Sequence, residues 1–106
     1  MDKNSVLKII AQFKDAMENQ KIAVQRIILF GSWAYGTPHE WSDIDLIVIS
    51  ESFKEMSYWE RIKVVARAVY KVFEPIEATA LTPDEWESGE YTIVDYARQG
   101  ETVFAA

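Results

Sequence analysis

Two aspartates, Asp43 and Asp45, stand one residue apart at the start of an apolar run, ten residues after a Gly31-Ser32 pair. Side chains at alternate positions of a strand point to the same face, so these carboxylates are expected to project together. Adjacent carboxylates repel each other, and burial adds to the cost of their charged forms. A hard divalent cation compensates for this cost, because Mg²⁺ typically takes one or two carboxylates together with substrate phosphates. The pattern therefore predicts a magnesium site at Asp43 and Asp45.

The Gly31-Ser32 pair ends a preceding apolar run and predicts a site for an anion. Glycine lets a backbone approach a ligand closely, and the amide groups at the start of a following helical turn are donors for an anion. Residues 31–42 are long enough for a tight connection back to the sheet, so Asp43 is expected near the end of the preceding strand. The combination predicts a phosphate-binding turn that faces the carboxylate pair.

A third acid, Glu77, lies one residue inside an apolar run over residues 76–81, which is an unusual place for a free carboxylate. If this strand lies beside the strand that begins at Asp43, Glu77 can share the metal or take a proton from an attacking hydroxyl. An edge-strand acid that faces water is the alternative interpretation of Glu77.

The elements that must position these residues follow from hydrophobic periodicity. Strands are predicted over 24–30, 43–50 and 76–81, and helices over 4–20 and 55–73, from Thr82 onward, and over 91–99. The tail at 102–104 is expected to add a short strand or to pack down. The order helix, strand, strand, helix, strand, helix, helix predicts an α/β or α+β architecture, in which helices flank a small mixed sheet.

Capping signals mark the predicted helix starts. Asn4 or Ser5 is expected to cap the first helix, and Ser32 to cap a short helical turn through Tyr35. The segment Thr82-Pro83-Asp84-Glu85 combines a capping residue, a proline at the first helical position and the glutamate of a capping box. The third strand is therefore expected to lead directly into a helix.

Two sets of apolar side chains bear on the core. The helix over 55–73 carries a stripe that is expected to face the core, and its members are Trp59, Ile62, Ala66, Val69 and Phe73, widened by Val65 and Val72. Three further aromatic residues follow Gly31, namely Trp33, Tyr35 and Trp41. They either stack on a nucleobase or anchor a partner, or they fill the core of a small domain.

Composition bounds the class of protein. The chain has 106 residues and is expected to form a single domain over 1–106. Its net charge of −6 disfavours binding to long nucleic acids, which depends on neutralisation of phosphates by Lys and Arg. The absence of cysteine excludes disulfides and thiolate metal sites, and it is compatible with the cytoplasmic location that we expect. The sequence shows neither a signal peptide nor an apolar run of ~20 residues that would span a membrane.

The pattern as a whole resembles the signature of the polymerase-beta-like nucleotidyltransferase superfamily. The resemblance rests on Gly31-Ser32, ten intervening residues, Asp43-Ile44-Asp45 with a following Ile/Val strand, and the later acid Glu77. The small size, together with Gly31-Ser32-Trp33-Ala34-Tyr35-Gly36 and Ser42-Asp43-Ile44-Asp45-Leu46, is similar to the minimal nucleotidyltransferase (MNT) branch.

This resemblance implies a nucleotidyltransferase fold and an activity. Asp43 and Asp45 would bind Mg²⁺, Glu77 would be the third ligand or the base, and the Gly31-Ser32 turn would hold the triphosphate of ATP. Small MNT proteins resemble antitoxins encoded beside a HEPN-domain toxin, and some transfer AMP from ATP to a tyrosine of that toxin. The implied partner is therefore a HEPN toxin in a hetero-oligomer. Transfer to a small molecule such as an aminoglycoside is disfavoured, because the chain has no residues left for the helical region that holds such an acceptor.

Two departures from the family pattern keep a second interpretation open. Trp33 and Tyr35 occupy positions that often hold arginine in relatives, and Glu77 stands where aspartate is usual. The first departure removes two phosphate-binding charges, and both departures bear on catalytic efficiency. The alternative prediction is a catalytically weak or inactive antitoxin that neutralises its partner by binding alone.

Overall fold

The computed structural model describes residues 1–39 and 42–106, and within these ranges four strands form one mixed sheet. The strands are β1 (Arg26–Phe30), β2 (Ile44–Ile49), β3 (Ile76–Leu81) and β4 (Glu101–Ala105), and their order across the sheet is β3, β2, β1, β4. Strand β1 is antiparallel to both β2 and β4, whereas β2 and β3 are parallel. The tail therefore forms a strand, which is the first of its two predicted alternatives.

The described helices are α1 (Lys3–Glu18), α2 (Ser32–Tyr35), α3 (Tyr58–Val72), α4 (Pro83–Ser88) and α5 (Thr92–Ala97), with a 3₁₀ turn at Glu51–Phe53. Helix α3 makes the crossover that the parallel pair β2–β3 requires. In this part of the chain no helix has the length and the apolar character needed to cross a membrane. The mixed α/β class and the small mixed sheet flanked by helices are confirmed.

The sheet separates two apolar clusters, because successive side chains of a strand point to opposite faces. One face carries Ile27, Leu29, Ile44, Leu46 and Val48 and packs against α1 and α3. The other face carries Ile28, Phe30, Ile47, Ile49 and Leu81 and packs against Trp86, Val94 and Ala97 of α4 and α5. Each of these large apolar side chains contributes roughly 1.5–3 kcal/mol to stability when it is fully buried. Strands β1 and β2, which precede and carry the predicted Gly31 and Asp45, are therefore packed on both faces.

Two predicted caps are wrong, and the structure shows why. The carboxylate of Asp2 accepts a hydrogen bond of 2.8 Å from the Ser5 amide, so Asp2 caps α1 in place of Asn4 or Ser5. Gly31 occupies the capping position of α2, and Ser32 is its first helical residue. In both cases the helix begins one or more residues earlier than its first serine or asparagine suggested, which is a common error at helix ends.

The predicted start of α4 is confirmed. The Glu85 amide donates to Thr82 Oγ1 at 3.2 Å, and the Thr82 amide donates to Glu85 Oε1 at 2.7 Å, which completes the capping box. The same carboxylate accepts a hydrogen bond of 2.7 Å from Arg61 Nη1 on α3. Glu85 therefore joins α3 to the start of α4.

Replacing Glu85 with glutamine is expected to lower the free energy of unfolding by about 1 kcal/mol at pH 7. Burial alone would raise the pKa of Glu85, but the hydrogen bonds from Thr82 and the charge of Arg61 outweigh it and lower the pKa below its ordinary value. Such a carboxylate stabilises the fold above its unfolded pKa, and this contribution is lost as the pH falls through the lowered folded pKa. Urea unfolding at several pH values measures the effect.

The matched control for this prediction is Glu87→Gln, which removes one charge from an exposed position of the same helix. The difference between the wild type and Glu85→Gln should shrink as the pH falls below about 4. An equal difference at pH 7 and in acid, or an equal effect of Glu87→Gln, would contradict the role of the Glu85 charge.

The predicted core stripe of α3 is confirmed in part, because Val65 is buried and Val69 and Val72 pack against the core, whereas its other members are exposed. The buried residues of this helix are Val64, Val65 and Ala68, whereas Trp59 is 68% exposed and Phe73, at the end of the helix, is 85% exposed. Ile62 and Ala66 are exposed as well, and Val69 is half-buried. The helix is apolar over more than one face, and the smaller side chains fit between the sheet and α1. An apolar face of α3 is consequently left outside.

Candidate active site

Three adjacent strands bring predicted site residues to the same end of the sheet, where β1 ends and β2 and β3 begin. In the register of the sheet, Asp45 of β2 lies opposite Phe30 of β1 and opposite Glu77 of β3. Residues opposite each other in a sheet share a face, so Asp45 and Glu77 project on the same side. The condition set for Glu77, that its strand lies beside the strand of the two aspartates, is met.

Asp45 is the most perturbed carboxyl group of the described residues. Its side chain is half-buried, and burial, followed by the charges of Glu77 and Asp43, raises the pKa of Asp45 to about 6. The carboxylates of Glu77 and Asp43 therefore each lie close enough to Asp45 to disfavour its charge. Such an arrangement favours a bound cation, which would offset the repulsion.

Gly31 provides the space that Asp45 occupies. Its backbone has φ +73° and ψ −159°, a conformation that is essentially restricted to glycine. A Cβ atom placed at Gly31 would overlap Oδ2 of Asp45. The prediction from sequence was a close approach of the backbone to a ligand. The structure shows a close approach of the backbone to a carboxylate of the site itself.

The start of helix α2 presents backbone amides that have no acceptor within the helix. The carbonyl of Gly31 accepts hydrogen bonds from the amides of Ala34 at 3.0 Å and Tyr35 at 3.1 Å. The amides of Ser32 and Trp33 belong to the start of this turn, where a helix offers no internal acceptor. These two amides follow Gly31 directly, so the turn presents donors next to the residue that borders Asp45.

Hydrogen bonds between His39 and Ser42 lie just ahead of Asp43 and β2. The amide of His39 donates to Ser42 Oγ at 2.8 Å, and the amide of Ser42 donates to the carbonyl of His39 at 3.0 Å. Ser42 is 7% exposed, whereas Asp43 is exposed immediately after it. The amide of Ile44 then donates to the Pro75 carbonyl at 2.8 Å and starts the ladder with β3. Sequence reasoning did not assign this role to Ser42, and a small polar residue beside an acidic strand start was the signal for it.

The residues present fit a magnesium ion in their chemistry. Among residues 1–39 and 42–106 no three His, Cys, Asp or Glu side chains are close enough together to hold a metal by themselves. Mg²⁺ does not need such a cage, because it binds one or two carboxylates together with substrate phosphates and water. Asp43 and Asp45 have carboxylate oxygens of the kind that Mg²⁺ binds, and Glu77 stands on the neighbouring strand. The assignment of these three residues to the metal stays a prediction.

The aromatic residues that follow Gly31 have separate environments. Trp33 is half-buried and packs against the core between the sheet, α1 and α3, and its buried indole Nε1 has no hydrogen-bond partner among the described residues. Tyr35 is 47% exposed and its hydroxyl donates to the Tyr96 carbonyl at 2.6 Å. The structure therefore favours the core-filling interpretation for Trp33, while Tyr35 ties α2 to α5. The third residue of this set, Trp41, lies outside the described residues.

Comparisons with known proteins agree with this architecture. The family described as the nucleotidyltransferase domain matches residues 10–96 of the chain. The chain thus belongs to the nucleotidyltransferase domain family, as its motif spacing predicted. No curated protein matches the chain.

Solved structures share the fold at low sequence identity. A Sulfolobus solfataricus protein assigned to the nucleotidyltransferases has a TM-score of 0.74 at 18% identity, covering 97% of this chain and 83% of its own. A chain of a toxin–antitoxin complex with AMP-PNP has a TM-score of 0.61 at 19% identity, covering 100% of this chain and 75% of its own.

A third solved structure holds a tri-AMPylated HEPN toxin of Shewanella oneidensis in complex with an MNT antitoxin. Its matching chain has a TM-score of 0.56 at 17% identity, covering 98% of this chain and 73% of its own. At such identities the likeness shows the fold alone. The predicted nucleotidyltransferase fold is confirmed, and chains of toxin–antitoxin complexes are among the structures that have it.

Proposed function

We propose that this protein is a Mg²⁺-dependent nucleotidyltransferase that transfers AMP from ATP to a tyrosine hydroxyl of a HEPN-domain toxin. The observation that carries the proposal is the register of β2 and β3, which sets Asp45 beside Glu77 at the edge where Gly31 ends β1. The chain belongs to the nucleotidyltransferase domain family, and in its fold the carboxylates of Asp45 and Glu77 lie side by side.

The residues of the chain have distinct roles in this proposal. The turn at Gly31 and Ser32 receives the phosphates of ATP through its backbone amides. Asp43 and Asp45 would hold Mg²⁺, which supplies positive charge to the phosphoryl oxygens when it is bound, and Glu77 would be the base. Because phosphoryl transfer depends mainly on positioning and charge neutralisation, no covalent role is needed for the protein.

The transfer itself conserves atoms and charge in a single displacement. The acceptor oxygen forms a bond to the α-phosphorus of ATP, and the bond from this phosphorus to the bridging oxygen of the β-phosphate breaks. Pyrophosphate leaves with that oxygen. The carboxylate of Glu77, exposed at the site edge, accepts the proton of the acceptor hydroxyl.

The proposed partner is supported by the resemblance of the sequence to MNT antitoxins and by the solved complexes that share the fold. In those complexes the matching chains are found with a toxin, and one toxin is AMPylated. By analogy we propose a cytoplasmic hetero-oligomer in which this chain is the antitoxin. Fold likeness supports this proposal only as an analogy.

An antitoxin that acts by binding alone is the second candidate, and the surroundings of Trp33 favour it. This residue stands where relatives often carry arginine, and it packs into the core. It therefore brings no charge to a phosphate. The two candidates predict the same partner but different chemistry.

Intact-protein mass spectrometry separates these candidates. The chain is mixed with the product of the adjacent gene, ATP and Mg²⁺, and Asp43→Asn serves as the control variant. An increase in partner mass by whole AMP units, absent in the control, is the expected result. Tight binding in both samples without any mass increase would instead establish neutralisation by binding alone.

A further inference from the structure

A groove of about 880 Å³ follows the outer edge of β3. Strand β3 forms its floor, α3 forms one wall through Ile62 and Ala66, and the segment that leads into α5 forms the other wall through Tyr91 and Ile93. Most of these wall residues are apolar. The groove is long enough to expose the whole of β3 to a second molecule.

The floor of this groove offers backbone groups that are not paired with another strand of the described residues. The carbonyls of Pro75 and Leu81 bond to β2, so odd-numbered residues of this strand face β2, whereas Ala78 and Ala80 direct their backbone groups outward. The Ala80 carbonyl accepts a hydrogen bond of 3.4 Å from Arg61. Among the described residues no strand pairs with this side of β3. An open edge of this kind is a template for a further strand.

The exposed apolar face of α3 borders the groove. Tyr70, which lines the groove with Ile62 and Ala66, is 81% exposed, and Phe73 at the end of the helix is 85% exposed. Phe73 also adopts a left-handed backbone conformation with φ +58°, which is uncommon for a bulky residue. A contiguous apolar surface with exposed aromatic rings is typical of a protein interaction site.

Charge distinguishes the possible occupants of the groove. Glu77 and Glu85 are the acidic side chains of its lining, and Glu85 is neutralised by Arg61. A second copy of this chain would bring a net charge of −6 against another −6, and like charges disfavour that pairing. A neutral or basic polypeptide meets no such penalty beside Glu77.

The groove and the candidate active site meet at Glu77. This residue lines the groove, and it is also the residue of β3 that lies opposite Asp45. We propose that the groove binds an extended, largely apolar segment of the acceptor protein as an added strand on β3, with the acceptor hydroxyl at the Glu77 end. The proposal rests on the proposed function, since it assigns the acceptor its binding surface. Strand addition gives affinity through the backbone and specificity through alternate side chains.

The test compares two identical substitutions on exposed helix positions. Ala66→Arg places a charge at the groove wall, whereas Ala11→Arg places it on α1 away from the groove. The probe is the product of the adjacent gene, which is the proposed acceptor protein. Calorimetry should show that Ala66→Arg weakens association at least about tenfold, while Ala11→Arg and the binding of ATP with Mg²⁺ stay unchanged. Equal affinities of the two variants would overturn the proposal, as would absence of association by the wild type.

Amide hydrogen exchange tests the mode of binding. In the complex the amides of Ala78 and Ala80 should become protected, and lack of protection there would overturn strand addition. A wild-type chain that is dimeric alone, but monomeric as Ala66→Arg, would instead assign the groove to a second copy.

Mass analysis of the same samples keeps this proposal separate from the proposed function. If Ala66→Arg weakens association but the wild type transfers no AMP, the proposed function is wrong and the proposed role of the groove stands. If Ala66→Arg transfers AMP and binds the acceptor with unchanged affinity, the proposed role of the groove is wrong and the proposed function stands.

Discussion

Asp45→Asn is expected to lower AMP transfer at least about 10²-fold, because charge stabilisation at a phosphoryl group is worth several kcal/mol. Asparagine keeps the size of the side chain and loses its charge. Asp45 lies between Gly31 and Glu77 at the site edge, so no other carboxylate stands in its position. Single-turnover transfer to the partner protein, followed by intact mass, measures the loss.

The same variant should not be less stable than the wild type. Burial and the neighbouring charges of Glu77 and Asp43 disfavour the ionised form of Asp45, which is the cause of its raised pKa. Removing that charge relieves the repulsion, so the midpoint of thermal unfolding is expected to stay equal or to rise. Activity and stability then change in opposite directions, as is common where a site is built at a cost to the fold.

Asp95→Asn is the control for this prediction, because it makes the same change at an exposed position of α5. It should leave both transfer and unfolding unchanged. Full activity in Asp45→Asn would refute the role of this carboxylate, and a marked fall in its unfolding midpoint would show that its charge stabilises the fold.

Gly31→Ala is expected to lower both stability and activity. The added Cβ meets Asp45 Oδ2, and alanine at φ +73° and ψ −159° adds a strain on the order of 1–3 kcal/mol. Either the loop or Asp45 must move. A displacement of about 1 Å at a site can cost 10²-fold in rate, so a large loss of AMP transfer is expected.

Gly36→Ala isolates the effect of the backbone. Gly36 also has a positive φ, +77°, but an added Cβ there meets no atom within 4 Å. Its cost should therefore be only the left-handed conformation, about 1–2 kcal/mol. Urea unfolding and transfer rates of the two variants measure the difference. Equal losses in both would show that the contact with Asp45 does not matter.

Local signals in the sequence predicted the parts of the fold that depend on neighbouring residues. The capping box that joins Thr82 and Glu85 and the bounds of β3 at Ile76–Leu81 both match the structure. Cap chemistry and strand composition act over a few residues, so a single sequence contains them. The start of α1 was less well defined, because Asp2, Asn4 and Ser5 are all good capping residues.

Features that depend on contacts between distant parts of the chain could not be predicted from the sequence. The periodicity of α3 fits two apolar faces, and the one that the helix buries carries Val64, Val65 and Ala68. Similarly, the aspartate spacing predicted a carboxylate pair, whereas the proximity of Glu77 depended on a parallel pairing across 32 residues of chain, between Asp45 and Glu77. The overlap that Gly31 avoids with Asp45 has no local signal, since Gly31 precedes α2 whereas Asp45 lies on β2.

The carboxylates of the site differ in how firmly the sheet holds them. Asp45 lies on a central strand with a neighbour on each side, whereas Glu77 lies on an outer strand with a neighbour on one side only. Local opening of proteins begins where the fewest backbone bonds must break. The third acid is therefore carried by the more easily frayed strand. Loosening of that strand would move Glu77 away from Asp45. The antiparallel pair of β1 and β2 would still hold Gly31 and Asp45 together.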